Sequence, residues 1–307
     1  MASSGVQVLG TIYSPYANRV QIALNLKSVD FEFITQNLSS KSDLLLKSNP
    51  VHKKVPVLIH DGKCICESLI IVQYIDDTWT GNGYSILPSD PHDRAVARFW
   101  AAYFEDKFAP LLKELSAAKE EEKVALKERV DEGLGFLEEA FVKCSKGKAY
   151  FGGDDIGYID IVIGSSFGWI TAIGKMSGSQ LIEEAKTPGL FGWVDNFLSN
   201  DVVKNVMPTT EMFIELLTKM QAKATLRRKG SFDTNVHNGT MELVPLMREL
   251  KSVQKEGKVA LIERIEEAIV PLEEAFVKCS KGKSYFGGDD IGYVDIVLGS
   301  YMGWMSF

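Results

Sequence analysis

The chain has 307 residues, 45% of them hydrophobic and 24% charged, with a formal net charge of −7 at pH 7. The length predicts roughly two or three compact units, and the composition excludes an intrinsically disordered chain. Basic residues are scattered through an acidic background, which gives no electrostatic reason for a nucleic-acid or anionic-membrane partner. The opening Met1-Ala2-Ser3-Ser4-Gly5 lacks the basic and apolar regions of a secretory leader. No stretch reaches the ~18 consecutive apolar residues of a membrane span, so a cytoplasmic chain is expected. Cys64, Cys66, Cys144 and Cys279 form neither a disulfide framework nor a zinc spacing, so a reducing compartment and no metal are expected.

The first eighty residues alternate between strand and helix patterns. Val6 to Thr11 is rich in β-formers, and Val20, Ala23 and Leu24 follow at helical spacing. Phe31 to Ile34 alternates as a short strand, and Asp43 to Lys47 is a helical turn. Val55 to His60, then Asp61-Gly62, then Lys63 to Glu67 predicts a hairpin around a two-residue turn. Ser68 to Trp79 is helical, with Leu69, Val72 and Ile75 on one face. The order β-α-β, a break, then β-β-α is that of a thioredoxin-like unit.

Thr80 to Asp93 is rich in Gly, Pro, Asn and Ser and predicts a linker. Helical patterns fill Arg94 to Leu115, Glu121 to Cys144, Tyr158 to Lys175, Pro188 to Leu198 and Thr209 to Lys223. Within Gly157-Tyr158-Ile159-Asp160, Asp160 can reach back to the free N–H groups that open its helix, a capping-box variant with a structural role. A repeat follows. Leu137 to Lys148 recurs unchanged as Leu272 to Lys283, and Tyr150 to Tyr158 as Tyr285 to Tyr293. The offset is a constant 135 positions from Pro110/Pro245 to Trp169/Trp304, a tandem duplication rather than a solenoid. The second copy brings no strands, and Pro271 stands where the first has Phe136, which costs about 3 kcal/mol or a kink in a helix. The expected class is therefore α+β. A thioredoxin-like domain spans 1–80, a linker 81–93 and an all-helical domain 94–223. A second linker then spans 224–242, and 243–307 is an incomplete duplicate of 108–172.

Three stretches of the first domain carry candidate chemistry. In Tyr13-Ser14-Pro15-Tyr16, Pro15 suits a first helical turn. Ser14 then sits where free N–H groups and the helix dipole favour an anion, either as a plain N-cap or as a donor that keeps a thiolate ionised. In His52-Lys53-Lys54-Val55-Pro56-Val57, a proline opening a central hairpin is a candidate cis peptide, which would turn the Val55 backbone outward to pair with an extended peptide. In Glu67-Ser68, Ser68 is a natural N-cap whose neighbouring N–H groups could take a carboxylate, and Glu67 could accept from an ammonium. Surface capping is the competing reading of each.

Together these stretches resemble the tau-class glutathione transferases of plants. The resemblance runs through Ser14-Pro15-Tyr16, Ser48 to Leu58, Glu67 to Ile75 and Leu87-Pro88-Ser89-Asp90-Pro91, and extends to Arg98-Phe99-Trp100-Ala101 and Tyr150 to Asp154. It covers residues 1 to about 222 and starts again in the duplicated tail. It implies that Ser14 hydrogen-bonds the glutathione sulfur, that Lys41 and Lys54 hold the glycine carboxylate, and that the Val55 main chain pairs with the cysteinyl moiety. Glu67 and Ser68 would grip the γ-glutamyl end. Thr11, Ile12, Tyr16, Leu112 and Trp169 would line the site of a hydrophobic second substrate. The resemblance also implies a homodimer and reduced glutathione as co-substrate, with no resident cofactor. Tyr13 and Tyr16 depart from residues common in the family without removing a group the chemistry requires. The implied activity is conjugation of glutathione to hydrophobic electrophiles, in detoxification and stress response, with hydroperoxide reduction beside it. A non-catalytic carrier of hydrophobic or conjugated ligands is the alternative, though a carrier has no need of Ser14. A thiol–disulfide oxidoreductase is disfavoured because oxygen stands where disulfide exchange needs sulfur.

Overall fold

The computed structural model describes residues 5–176 and 180–219. The chain divides into two compact units, 1–232 and 233–307, and every described residue belongs to the first. The expected linker 224–242 and the expected duplicate 243–307 lie outside the described residues, as do 220–223 of the last expected helix.

Four strands form one mixed sheet in the order β2-β1-β3-β4: β1 Val6–Gly10, β2 Glu32–Thr35, β3 Val57–His60 and β4 Lys63–Cys66. β1 runs parallel to β2 and antiparallel to β3, and β3 pairs antiparallel with β4. Two different cores cover the faces, because side chains alternate along a strand. Val6, Val8 and Leu58 pack with α1 (Pro15–Leu26) and α3 (Ser68–Thr78), whereas Leu9, Val57 and Ile59 pack with Leu45 of α2 (Asp43–Ser48). The hairpin turn falls on Asp61 and Gly62, both at positive φ (49° and 75°), the conformation that two-residue hairpins favour. The Val55–Pro56 peptide bond is cis. This is the thioredoxin-like arrangement that the order of elements predicts.

The linker is tied down by a buried ion pair. Lys27 Nζ lies 2.8 Å from Asp76 Oδ1 and donates to the Tyr84 carbonyl at 2.7 Å. The Asp76 carboxylate also accepts from the Ile86 and Leu87 N–H groups and the Ser85 hydroxyl. Every polar atom of this knot has a partner, so removing either charge should cost about 3–5 kcal/mol.

Further helices follow among the described residues: α4 Pro91–Tyr103, α5 Ala109–Ala117, α6 Glu120–Ser145, α7 Tyr158–Gly164, α8 Phe167–Met176, α9 Pro188–Ser199 and α10 Asp201–Lys204. Residues 210–219 are also helical. The helix expected over Arg94 to Leu115 starts earlier, at Pro91, because Asp90 caps it by accepting from the Asp93 N–H at 2.9 Å. It is then interrupted by a π turn at Phe104–Phe108 before α5 resumes. The expected Tyr158–Lys175 helix breaks at Ser165-Ser166, where the Ser165 hydroxyl donates to the Ile161 carbonyl. Gly168 lets the helix at 210–219 approach α8: a Cβ there would lie 1.9 Å from the Phe213 ring. Asp160 does more than cap α7. Wholly buried, it accepts from the N–H groups of Phe151, Gly152 and Gly157 and from Trp193 Nε1, at 2.7–2.9 Å. It thereby joins the loop before α7 to α9. Burial outweighs these donors and pushes its carboxyl up to about 6. Among the described residues no helix is long and apolar enough to cross a membrane.

Candidate active site

β1 delivers the chain to α1 through a tight turn in which the Ser14 N–H donates to the Thr11 carbonyl at 3.0 Å. Ser14 is the N-cap of α1, and its Oγ accepts from the Ala17 N–H at 3.3 Å. The two readings of Ser14 are thus compatible. As a cap the hydroxyl oxygen is only an acceptor, which leaves its O–H to donate to something placed before the helix. An anion there also meets the positive end of the helix dipole.

Arg19, one turn further along α1, is the residue that binds this end of the molecule together. Its side chain is fully buried. Nε and Nη2 donate to the Val162 carbonyl of α7 at 3.1 and 2.8 Å, Nη1 donates to Ser68 Oγ at 3.2 Å, and Nη2 pairs with Glu105 in the π turn. The guanidinium also lies 4.9 Å from the centre of the Tyr16 ring. Burial, and then the Glu105 charge, push the Tyr16 phenol up, so it stays protonated near neutral pH. The Ser68 oxygen is held as an acceptor by Arg19, so its O–H is turned to donate elsewhere. The sequence places Ser68 as the cap of α3. In the structure Glu67 is the N-cap, at φ 71°, and Ser68 is the first helical residue.

Glu67 itself is exposed and makes no capping hydrogen bond, and its carboxylate stands 3.8 Å from His52 Nε2. Val55 is half-buried beside the cis bond and carries no backbone hydrogen bond to another described residue. Lys41 and Lys54 are exposed, and neither ammonium pairs with a described carboxylate. The row Val55, Glu67 and Ser68 is therefore brought to one end of the sheet. Contacts within the structure link Ser68 through Arg19 to Tyr16, close to Ser14. Among the described residues no hydrogen bond or ion pair joins the Lys41 or Lys54 ammonium to the others.

Residues expected to take the hydrophobic second substrate divide into two groups. Thr11 and Tyr16 are partly exposed and Ile12 exposed. Trp169 is half-buried, donating from Nε1 to the Tyr13 carbonyl at 2.9 Å. Its ring lies tilted by 60° against Phe213 at 5.4 Å, and Phe213 meets Tyr13 edge-on at 5.9 Å. Leu112 differs: it is buried at 5% in the helical core and presents little surface to a cleft. Arg19, Glu105 and Phe213 stand outside the stretches singled out in the sequence, and His52 has no role assigned within its own. Only Arg19 gave a trace, as a charge beside the apolar positions of a short helix. Burial pushes the Cys66 thiol up to about 11, which fits packing rather than redox chemistry. Two cavities of about 590 and 580 Å³ lie elsewhere, one under the linker and α4, the other between α8 and α9. Neither includes Ser14, Val55 or Glu67.

The sequence matches the family models described as the N-terminal domain of glutathione S-transferase, over residues 4–77, and its C-terminal domain, over residues 93–201. Glutathione S-transferase U17 of Arabidopsis thaliana is 52% identical over 224 residues, 73% of this chain and 99% of that one. A solved tau-class glutathione S-transferase from mango, Mangifera indica, is 53% identical, with a TM-score of 0.69 over 71% of this chain and all of the other. Rice GST1, solved in complex with glutathione, is 31% identical, with a TM-score of 0.66 over 72% and 99%. With this fold, and at this identity across essentially the whole length of its relatives, the chain belongs to the glutathione S-transferase family, in its tau class.

Proposed function

We propose that this chain transfers the glutathionyl group: it conjugates reduced glutathione to hydrophobic electrophiles and, as a side activity, reduces organic hydroperoxides. The observation that carries this reading is the Ser14 hydroxyl, capped as an acceptor and free as a donor, at the positive end of α1. Its O–H donates to the glutathione sulfur and favours the thiolate, while the thiol proton leaves to solvent. The sulfur attacks the electrophilic carbon, a C–S bond forms, and the leaving group departs with its electron pair. Lys41 and Lys54 hold the glycine carboxylate, the Val55 main chain pairs with the cysteinyl unit, and Glu67 accepts from the γ-glutamyl ammonium. The Ser68 hydroxyl, with the N–H groups opening α3, takes the remaining carboxylate. Thr11, Ile12, Tyr16 and Trp169 form the apolar wall that holds the electrophile close, with Leu112 supporting it from the core.

The same reading makes the protein a cytoplasmic homodimer without a resident cofactor. A run of exposed apolar side chains supports the dimer: Val51, Ile70 and Phe99 are 52%, 56% and 61% exposed, and Phe99 continues through edge-on contacts into Trp100, Tyr103 and Phe136. Residues 243–307 are taken as a partial duplicate of 108–172, supported by the two identical runs in the sequence. Turnover of glutathione with an aromatic halide, followed by absorbance, tests the activity. Conjugation that saturates in both substrates is expected, and binding of glutathione without any conjugation would instead favour a carrier.

A further inference from the structure

His52 stands beside Glu67, outside every role assigned above. Its position is not accidental to a loose loop. The His52 N–H donates to Asn49 Oδ1 at 3.1 Å, Asn49 Nδ2 donates to the Lys54 carbonyl at 3.0 Å, and the Lys53 N–H donates to the Asn49 carbonyl at 2.8 Å. Asn49 is buried, and its own N–H donates to the Leu45 carbonyl at the end of α2. On the other side Glu67 is fixed by its left-handed backbone and by its carbonyl, which accepts from the Ile71 N–H at 2.8 Å. Two braced segments thus hold an imidazole 3.8 Å from a carboxylate that has no other charged partner among the described residues.

We infer that His52 is a positioning residue for the γ-glutamyl end of the ligand, its protonation setting how much negative charge Glu67 offers to the ligand's ammonium. This rests on the reading of Glu67 as the ammonium acceptor. With a neutral imidazole the carboxylate is fully available. With an imidazolium the carboxylate is already paired, and a second cation brought to it meets a like charge. Ligand binding then favours the neutral imidazole, so affinity falls and a proton is released on binding wherever the imidazole is protonated.

The other groups around Glu67 do not supply this coupling. Tyr16 of α1 and Cys66 of β4, itself beside Cys64, have their ionisations pushed up by burial. Lys53 and Lys54 carry their charges on the same loop as His52. Arg19, beyond Ser68, is paired with Glu105. Asp160 is held at about 6, but its four partners lie in the loop before α7 and in α9. Because both His52 and Glu67 are substantially exposed, the coupling is a modest one.

S-Methylglutathione is the suitable probe, since it keeps both carboxylates and the ammonium and has no thiol to titrate. Calorimetric titration of the full chain between pH ~5.5 and ~8 should give a roughly three-fold weaker affinity at the acid end. Buffers of different ionisation enthalpy should reveal proton release at the acid end. His52→Asn should flatten the profile and abolish the proton release, and His52→Lys should hold the weak acid-end affinity at every pH. A His52→Asn chain that keeps the parental profile, or a parental affinity that rises with acid, overturns the inference. Glu67→Gln separates this from the underlying reading. If that variant binds as tightly as the parent at pH ~8, Glu67 is not the ammonium acceptor. If it binds weakly while His52→Asn keeps the parental profile, only the role of His52 fails.

Discussion

Two carboxylates near helix starts, Asp160 and Glu67, are used in opposite ways. Asp160 in the first turn of α7 is wholly buried, and the protein itself supplies all four of its donors. Glu67 at the cap of α3 is exposed, sits on a left-handed backbone, and faces only an imidazole at 3.8 Å. The same contrast holds for the cations. Lys27 and Arg19 are buried and saturated, whereas Lys41 and Lys54 are exposed and unpaired among the described residues. Where the protein completes a polar group's hydrogen bonds, the group holds the fold. Where it arranges a row of such groups and leaves them open, the row is built for something else.

Breaking the closed side of this comparison should have the largest effect. Asp160→Ala leaves four donors, three of them buried, without an acceptor, and urea unfolding should register a loss of at least about 3 kcal/mol. A loss below about 1 kcal/mol would mean that the network is not what joins α7 to α9. The pH dependence has a defined sign. Burial holds the Asp160 carboxyl at about 6, above the ~3.9 of an unfolded chain. The stability from this group is therefore complete below pH ~4 and is lost as pH rises through about 6. An Asp160→Asn chain should show a shallower decline across that interval than the parent.

Breaking the open side should leave the fold intact and weaken the ligand. Glu67→Ala is expected to weaken glutathione binding several-fold in calorimetry, while Lys63→Ala, exposed on β4, should leave it unchanged. Equal losses for both would remove the assigned site. Lys27 is not a suitable control, because its pairing with Asp76 makes Lys27→Ala a stability variant. The smallest effect is expected from deleting residues 225–307. Glutathione S-transferase U17 is covered to 99% by a match to only 224 residues of this chain, so turnover per subunit should be preserved. The sequence also predicts better solubility, because the copied stripe Leu261, Ile265, Ile269, Leu272 and Phe276 would be removed. A soluble truncated chain that binds glutathione without conjugating it would place the tail in the active site.

What could be read from the sequence was local. Asp61-Gly62 specifies its hairpin, Ser14-Pro15 its helix start, and Asp160 its cap, because each device is complete within a few residues. What could not be read depends on partners far along the chain. The Arg19 bonds to Val162 span 143 positions, and Trp193 reaches Asp160 across 33. The π turn at Phe104–Phe108 looks like continuous helix in the sequence, yet it carries the Glu105 that pairs with Arg19. The resemblance places Leu112 on the cleft wall, and the packing of α5 buries it in the core. Ser68 was displaced from the cap by one position because Glu67 adopts a backbone that side-chain chemistry alone does not announce.

The central claim is that Ser14 donates to the sulfur rather than merely capping α1. Ser14→Ala removes that donor and the weak 3.3 Å cap together, so conjugation and binding must be measured on the same preparation. Initial rates with an aromatic halide should fall by roughly ten-fold or more, about the weight of one charge-assisted donor, while calorimetry shows glutathione bound nearly as tightly as by the parent. An alanine variant that conjugates at the parental rate would contradict the account and leave Ser14 as a cap alone.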